Sequence, residues 1–205
     1  MIRVHPIITQ GGSVVNAIPD KVEIESFVRG KGFDAIYDTN KRVNRALCGG
    51  ALSLGVNLDI QDTHGYAPLI NDTSLIQLAM EAWSDVSELT IEWQQITSSG
   101  STDMGDLCGL MPVVHPYVPG ATGNSHGSNY WIENPEQTCI TSAVWQLNML
   151  HLLLKNDAER AKSIVSNYKP AFSTKEEYFS YLKRFDLEGD RIEYGEDEKA
   201  IVCLS

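Results

Sequence analysis

Apolar and polar positions change period along the chain, and the changes mark its elements. Residues 3 to 9 alternate as a strand would, but Pro6 removes a ladder donor, which places this stretch at an edge or strand end. Gly11-Gly12 turns the chain. Residues 22 to 29 alternate cleanly, with Val22, Ile24 and Val28 on one face and Glu23, Glu25 and Arg29 on the other. This pattern predicts an antiparallel strand with one covered side and a solvated Arg29. From Phe33 to Leu54 the apolar positions 33, 36, 37, 43, 47, 51 and 54 form a helical stripe, with a bend or close packing expected at Gly49-Gly50. Residues 57 to 63 return to a strand pattern, and residues 64 to 68, ending in Pro68, mark a crossing to a second region.

The second region begins with a capped helix. Asn71 and Asp72 precede Leu75, Leu78, Ala79, Ala82 and Val86 at helical spacing. A short strand is predicted over 88 to 93. The run Leu110 to Val114 predicts a buried strand stopping at His115-Pro116. Asn134 as cap, with Pro135, Glu136 and Gln137 after it, opens a long helix. Its stripe reads Ile140, Ala143, Val144, Leu147, Leu150 and Leu154, and Asn156-Asp157 divides it from a further helix reaching about Ser166. Ser173 and Glu176 form a capping box for a last helix, after which the acidic tail from Asp186 is expected to add little. There is no internal repeat and no low-complexity segment.

Candidate chemistry concentrates between residues 99 and 132, where glycine and polar reactive groups are densest. Ser101, Thr102 and Asp103 follow Gly100, and a glycine-punctuated loop delivers His126. A neutral imidazole in such a loop can bind zinc, although a single loop histidine is more often a surface residue than a ligand. Asp103 fits a turn or helix cap as well as a polar site.

Composition narrows the function classes. The 205 residues carry 42% hydrophobic and 21% charged residues, as a soluble globular chain does. A net charge of −11 and a pI near 4.8 argue against nucleic acid and against an anionic membrane surface. No apolar run is long enough to span a bilayer. Cys48, Cys108, Cys139 and Cys203 are widely spaced, without a CxxC pair, which reads as free thiols in a cytoplasmic protein.

The motif Gly100-Ser101-Thr102-Asp103-Met104-Gly105-Asp106, then Pro112-Val113-Val114-His115-Pro116-Tyr117, then His126-Gly127, resembles the zinc-dependent amidohydrolases and peptidases of the aminoacylase, carnosinase and carboxypeptidase G family. Within that family it is most similar to the branch of p-aminobenzoyl-glutamate hydrolase and the Xaa-Arg dipeptidase-like proteins. His5-Pro6-Ile7-Ile8-Thr9-Gln10-Gly11-Gly12 and Asn16-Ala17-Ile18-Pro19-Asp20 resemble the signature of the family's lid, or dimerisation, domain.

The resemblance implies an α/β fold in two parts. Residues 1–66 would be a ferredoxin-like lid/dimerisation domain lacking its first strand and helix. Residues 67–205 would be the C-terminal half of an α/β zinc-peptidase catalytic domain. It implies His126 as a metal ligand, with Asp103, Ser101 and Thr102 beside the metal. His115, Ser13 and Tyr66 would be substrate-binding, with Ser13 standing where relatives place an asparagine and Tyr66 near where some place an arginine. The implied cofactor is zinc or another divalent metal, two per complete site. The implied partners are a small amide or dipeptide substrate and a second copy of the chain. The family's His-x-Asp segment does not occur, and the one Glu-Glu pair, Glu176-Glu177, lies in the last helix, so the general base is missing from this chain. The expected activity is therefore that of the C-terminal part of an amidohydrolase or dipeptidase, inactive by itself. The competing class is a non-enzymatic dimerisation or interaction module, or the remnant of a split gene.

Overall fold

A computed structural model describes residues 2–88, 101–196 and 199–203. The chain is mixed α/β. Its described residues divide into two compact units, one of residues 2–68, 101–102 and 175–203, the other of 69–88 and 103–174.

In the first unit, strand β1 (Ile2–Gln10) pairs antiparallel with β2 (Glu23–Gly30), with Val4 opposite Val28 and Ile8 opposite Ile24. The register shifts between Ile8 and Gln10. Helix α1 (Phe33–Leu54) follows β2 directly and ends at Gly55, whose φ of 64° is the left-handed turn that stops a helix. The covered face expected for β2 is not covered. All of β1 is exposed, and in β2 only Glu23 and the end from Val28 onward are partly buried. A two-stranded ribbon has too little surface to bury a face without further strands.

Helix α1 presents a different inner line from the apolar stripe of its sequence. Its buried residues are Asn44, Cys48 and Ala51, while Leu47 and Leu54 are exposed. Two asparagines lie toward the inner side because they meet a carboxylate: the amides of Asn40 and Asn44 both donate to Asp62 Oδ2, at 2.8 and 2.5 Å. The helix runs unbroken through Gly49-Gly50, and a side chain at either position would meet open space, so neither a bend nor close packing occurs there.

Residues 57 to 63 form isolated bridges instead of a full strand. Asp59 pairs with Asp190 and Asp62 with Leu187, so this segment is held by the C-terminal tail. The tail thus contributes more than its acidity suggests. It forms a hairpin of β5 (Ile192–Tyr194) and β6 (Ala200–Val202). Arg191 is buried beside it, its guanidinium donating to the carbonyls of Gly189 and Glu188. Helix α5 (Lys175–Leu182) places Tyr178 and Tyr181 edge-on against Phe33, and Phe185 packs against Tyr37 and Tyr181.

In the second unit, helix α2 (Thr73–Ser84) starts where expected, with the Asp72 carboxylate accepting from Leu75 N at 2.9 Å; Val86 lies beyond its end. Short helix α3 (Met104–Cys108) follows. The run Leu110 to Val114 is not a strand. Val113 is buried nonetheless, and its carbonyl accepts from Asp72 N at 2.8 Å, which ties the run to the start of α2. Most of the strand expected over 88–93 falls outside the described residues.

Asn134 caps the long helix, its side chain accepting from Gln137 N. The helix opens as a π-helical turn over Glu136–Thr141 and continues as α4 (Ser142–Asn167). Non-helical dihedrals at Lys155, Asn156, Asp157 and Ala158 divide α4 near the expected break. The core is formed by Leu75, Leu78, Ala79, Ala82 and Trp83 of α2 with Trp145, Leu152 and Ile164 of α4. The stripe expected to be buried, Ile140, Val144, Leu147, Leu150 and Leu154, is instead exposed. Trp145 and Leu152 win the inner face because the two indoles of Trp83 and Trp145 fit edge to face at 4.8 Å.

Two outcomes follow for stability. Gly49→Ala should raise the urea midpoint by the equivalent of about 0.5–1 kcal/mol, since an open helix-interior glycine is replaced by the best helix former. The Tyr181 hydroxyl donates to the Phe33 carbonyl at 2.7 Å, and burial, with Asp34 adding, pushes its pKa up from 10.0 to about 12. The folded state favours the neutral phenol, so this contribution is complete below pH 10 and is lost as pH rises through about 12. Urea titrations across that range should show a fall in stability that is shallower in Tyr181→Phe.

Candidate functional site

The residues singled out by sequence divide between the two units. Ser13, Tyr66, Ser101 and Thr102 belong to the first; Asp103, His115 and His126 belong to the second.

In the first unit, Ser13 lies exposed in the bend after β1, and Tyr66 is exposed in the segment leading to Pro68. The Ser101 hydroxyl accepts from Arg29 Nη1 at 3.5 Å. Arg29 also lies over the Phe27 ring, 5.2 Å from its centroid. Arg29 is therefore engaged by residues of its own unit, where its place on a polar strand face suggested solvation. No short-range signal in the sequence links positions so far apart.

In the second unit, Asp103 is the first residue before α3 and has helical dihedrals, with no capping bond from its side chain. Its carbonyl accepts from Asp106 N at 3.1 Å. The cap reading of this carboxylate is thus not realised. His115 stacks on Tyr117 with ring centroids 5.1 Å apart. Its backbone N–H donates to Asn71 Oδ1 at 2.9 Å. The ring Nδ1 is buried and has no hydrogen-bond partner among the described residues. A buried imidazole nitrogen left in this way carries a desolvation cost that a ligand atom could relieve. Asn71, read from sequence as a cap, instead anchors the backbone at His115, while Asp72 does the capping.

His126 sits at the head of a hairpin. Strands β3 (Ala121–Thr122) and β4 (Trp131–Ile132) pair antiparallel, with Ala121 opposite Ile132. Between them, Gly127 N donates to Asn124 O at 2.7 Å and Tyr130 N to Gly127 O at 3.1 Å, making two successive turns. Asn129 Oδ1 accepts from Asn124 N and braces the loop. These turns hold His126 at φ 64°, a left-handed conformation uncommon outside glycine, with its side chain exposed. Strained backbone of this kind clusters at functional sites.

The base of the hairpin depends on Gly120. Its carbonyl accepts from both Glu133 N and Asn134 N, at 2.9 and 3.0 Å, which ties the loop to the start of the long helix. Its φ is 125°, and an added Cβ would overlap Thr138 Oγ1.

Nearby thiol chemistry is muted. Cys108 is buried, and burial pushes its thiol pKa up, so it is disfavoured as a nucleophile. None of the four cysteines is in a disulfide. Among the described residues no three His, Cys, Asp or Glu side chains gather as a metal requires. A catalytic zinc takes about three protein ligands and a water. The described residues alone therefore do not fit a complete metal centre.

Comparison with known proteins points to hydrolases of the dipeptidase type. The chain is 29% identical over 118 residues to the Xaa-Arg dipeptidase of Mus musculus, covering 56% of this chain and 27% of that protein. It is 29% identical over 132 residues to the Xaa-Arg dipeptidase of Homo sapiens, covering 62% and 30% respectively. The chain thus matches less than a third of the length of these relatives. No family model matches it, and no solved structure matches it. This distant similarity supports a peptidase- or amidohydrolase-like chain. Among the described residues no helix is long and apolar enough to cross a membrane.

Gly120→Ala tests the hairpin base. It should destabilise the second unit by about 2–3 kcal/mol in urea unfolding, through backbone strain and overlap with Thr138. A loss below about 0.5 kcal/mol would mean that the hairpin is not anchored there.

Proposed function

We propose that the chain is part of a metal-dependent dipeptidase or amidohydrolase that cleaves the amide bond of a dipeptide or N-acyl amino acid. The observation that carries this is the similarity to the two Xaa-Arg dipeptidases. The hairpin that holds His126 in a strained, exposed position supports it as one ligand of zinc or another divalent metal. The unpartnered Nδ1 of His115 supports a role for that ring in meeting substrate. Ser101, Thr102 and Asp103 would stand beside the metal, and Ser13 and Tyr66 beside the substrate. Tyr66 brings no cation, so an acyl-glutamate carboxylate would find no charge-assisted partner there. In this reading the first unit is the lid domain and the second belongs to the catalytic domain. The exposed ribbon of β1 and β2 would pair with that of a second copy.

One imidazole does not hold zinc against water, so the remaining ligands and the general base come from polypeptide that these 205 residues do not contain. No step of hydrolysis is accordingly assigned to this chain's own residues. The test measures metal content and dipeptidase rate for the chain alone and for the chain co-expressed with the remainder of the human relative. The chain alone should be inactive. The combined form should bind zinc and turn over dipeptides faster than acyl-glutamates. His126→Ala should abolish both properties and Cys108→Ala neither. Stoichiometric zinc and turnover in the chain alone, or full activity in combined His126→Ala, would refute the assignment. Absence of any activity in the combined form would favour a non-enzymatic interaction module.

A further inference from the structure

In the first unit, two cations converge on one phenol. Arg184, in the short 3-10 turn Lys183–Phe185 that follows α5, lays its guanidinium over the Tyr37 ring, with Cζ 3.9 Å from the centroid. The same guanidinium lies over Tyr181, 5.6 Å from the centroid of that ring. Lys41, one turn beyond Tyr37 on α1, brings its Nζ to 5.0 Å from the Tyr37 centroid. The rings are themselves fixed. Phe185 meets Tyr37 and Tyr181 edge-on, each at 5.4 Å, and the Tyr181 hydroxyl is anchored on the Phe33 carbonyl. Stacking on rings uses the flat faces of a guanidinium and leaves its N–H edge for an acceptor in its own plane. An arginine already held against two rings loses less freedom when it binds.

The charges around this phenol are unusual for so acidic a chain. The net charge is −11, and cations elsewhere take acids: Lys21 pairs with Glu23 and Arg160 with Glu81. Among the described residues no carboxylate lies within ion-pair distance of Lys41 or Arg184. The Tyr37 hydroxyl registers the same field. Arg184, foremost by hydrogen bonding, and then Lys41 hold the phenol below its ordinary pKa of 10.0, against the opposing effect of burial. Asp34 and Asp38 of the same helix act on the Tyr181 hydroxyl. Two cations brought to one ring repel each other, and an anion bound between them removes that cost. We propose that Tyr37, Lys41 and Arg184 form a binding site for a small dianionic oxyanion of the phosphate type, free or as a monoester. Two positive charges and a hydroxyl donor match the charge and the several acceptor oxygens of such a group, whereas a monocarboxylate leaves one cation uncompensated. This recognition chemistry is independent of any amide hydrolysis.

The test titrates inorganic phosphate, glycerol 3-phosphate and acetate into the 205-residue chain at low ionic strength and follows amide and tyrosine ring resonances by NMR. Phosphate, the monoester or both should saturate with a Kd of about 1 mM or tighter, with shifts centred on Tyr37, Lys41 and Arg184. Acetate should bind at least about tenfold more weakly. The bound dianion should raise the Tyr37 pKa back toward its ordinary value, since a nearby negative charge disfavours the phenolate. Arg184→Gln and Lys41→Gln should each weaken binding about tenfold. Arg184→Lys should restore only part of that loss, because an ammonium keeps the charge but not the stacked fork. Lys162→Gln removes an exposed cation of the second unit and should leave binding unchanged. Lys41 is exposed on its helix, so Lys41→Gln carries the test should Arg184→Gln fail to fold. Saturation by the monoester identifies a phosphorylated small molecule as the ligand, and saturation by phosphate alone identifies the free ion. Absence of saturable shifts, equal binding of acetate, full binding in Lys41→Gln, or an equal loss in Lys162→Gln overturns the site.

Discussion

The second unit depends on the seam between α2 and α4. Trp145 drives its indole against Trp83 and donates its ring N–H to the Ala79 carbonyl at 2.7 Å. One side chain thus supplies apolar area, an aromatic edge contact and a satisfied polar atom. Asn148, three residues on, donates to the Ala82 carbonyl at 2.9 Å, so the same face of α4 grips α2 twice. The break at Lys155–Ala158 then lets Ile164 join the cluster and Arg160 reach Glu81. That ion pair is partly exposed and contributes little beside the aromatic seam. With the seam in place, Asp72 fixes the start of α2 and holds Val113 by its carbonyl, and Asn71 holds His115. The position of the candidate histidine therefore traces back to the packing of two tryptophans.

The first unit is organised by a carboxylate instead. Asp62 accepts from Asn40 and Asn44 of α1 through its side chain and pairs with Leu187 through its backbone. A half-buried polar hub of this kind is stable only because each group finds a partner. It explains why the inner face of α1 carries two asparagines, which no apolar periodicity reveals.

Where the sequence was legible, local chemistry set the structure. The bounds of α1, the Asp72 and Asn134 caps and the break at Asn156-Asp157 follow from periodicity, side-chain capping and residues that accept left-handed dihedrals. Where it was not legible, distant partners decided. Residues 57–63 pair with the tail, and Leu110–Val114 is buried without becoming a strand. The candidate site was legible in its residue types, through a glycine-rich loop and its histidines. It was not legible in its support: Arg29 on Ser101 and Asn71 on His115 join residues far apart in sequence, with no local pattern between them.

The reversed faces of α4 have a physical reason that reaches beyond this helix. Periodicity assigns a core face only when the opposite face is polar. Between Gln137 and Leu154 both faces are apolar, so a stripe through Ile140 and Leu147 and one through Trp145 and Leu152 are equally good readings. Packing against α2 selects the second, because only it brings a tryptophan to Trp83 and an amide to the Ala82 carbonyl. The first stripe is left exposed among the described residues. Which of two apolar faces becomes the core is therefore set by the partner helix and not by periodicity alone.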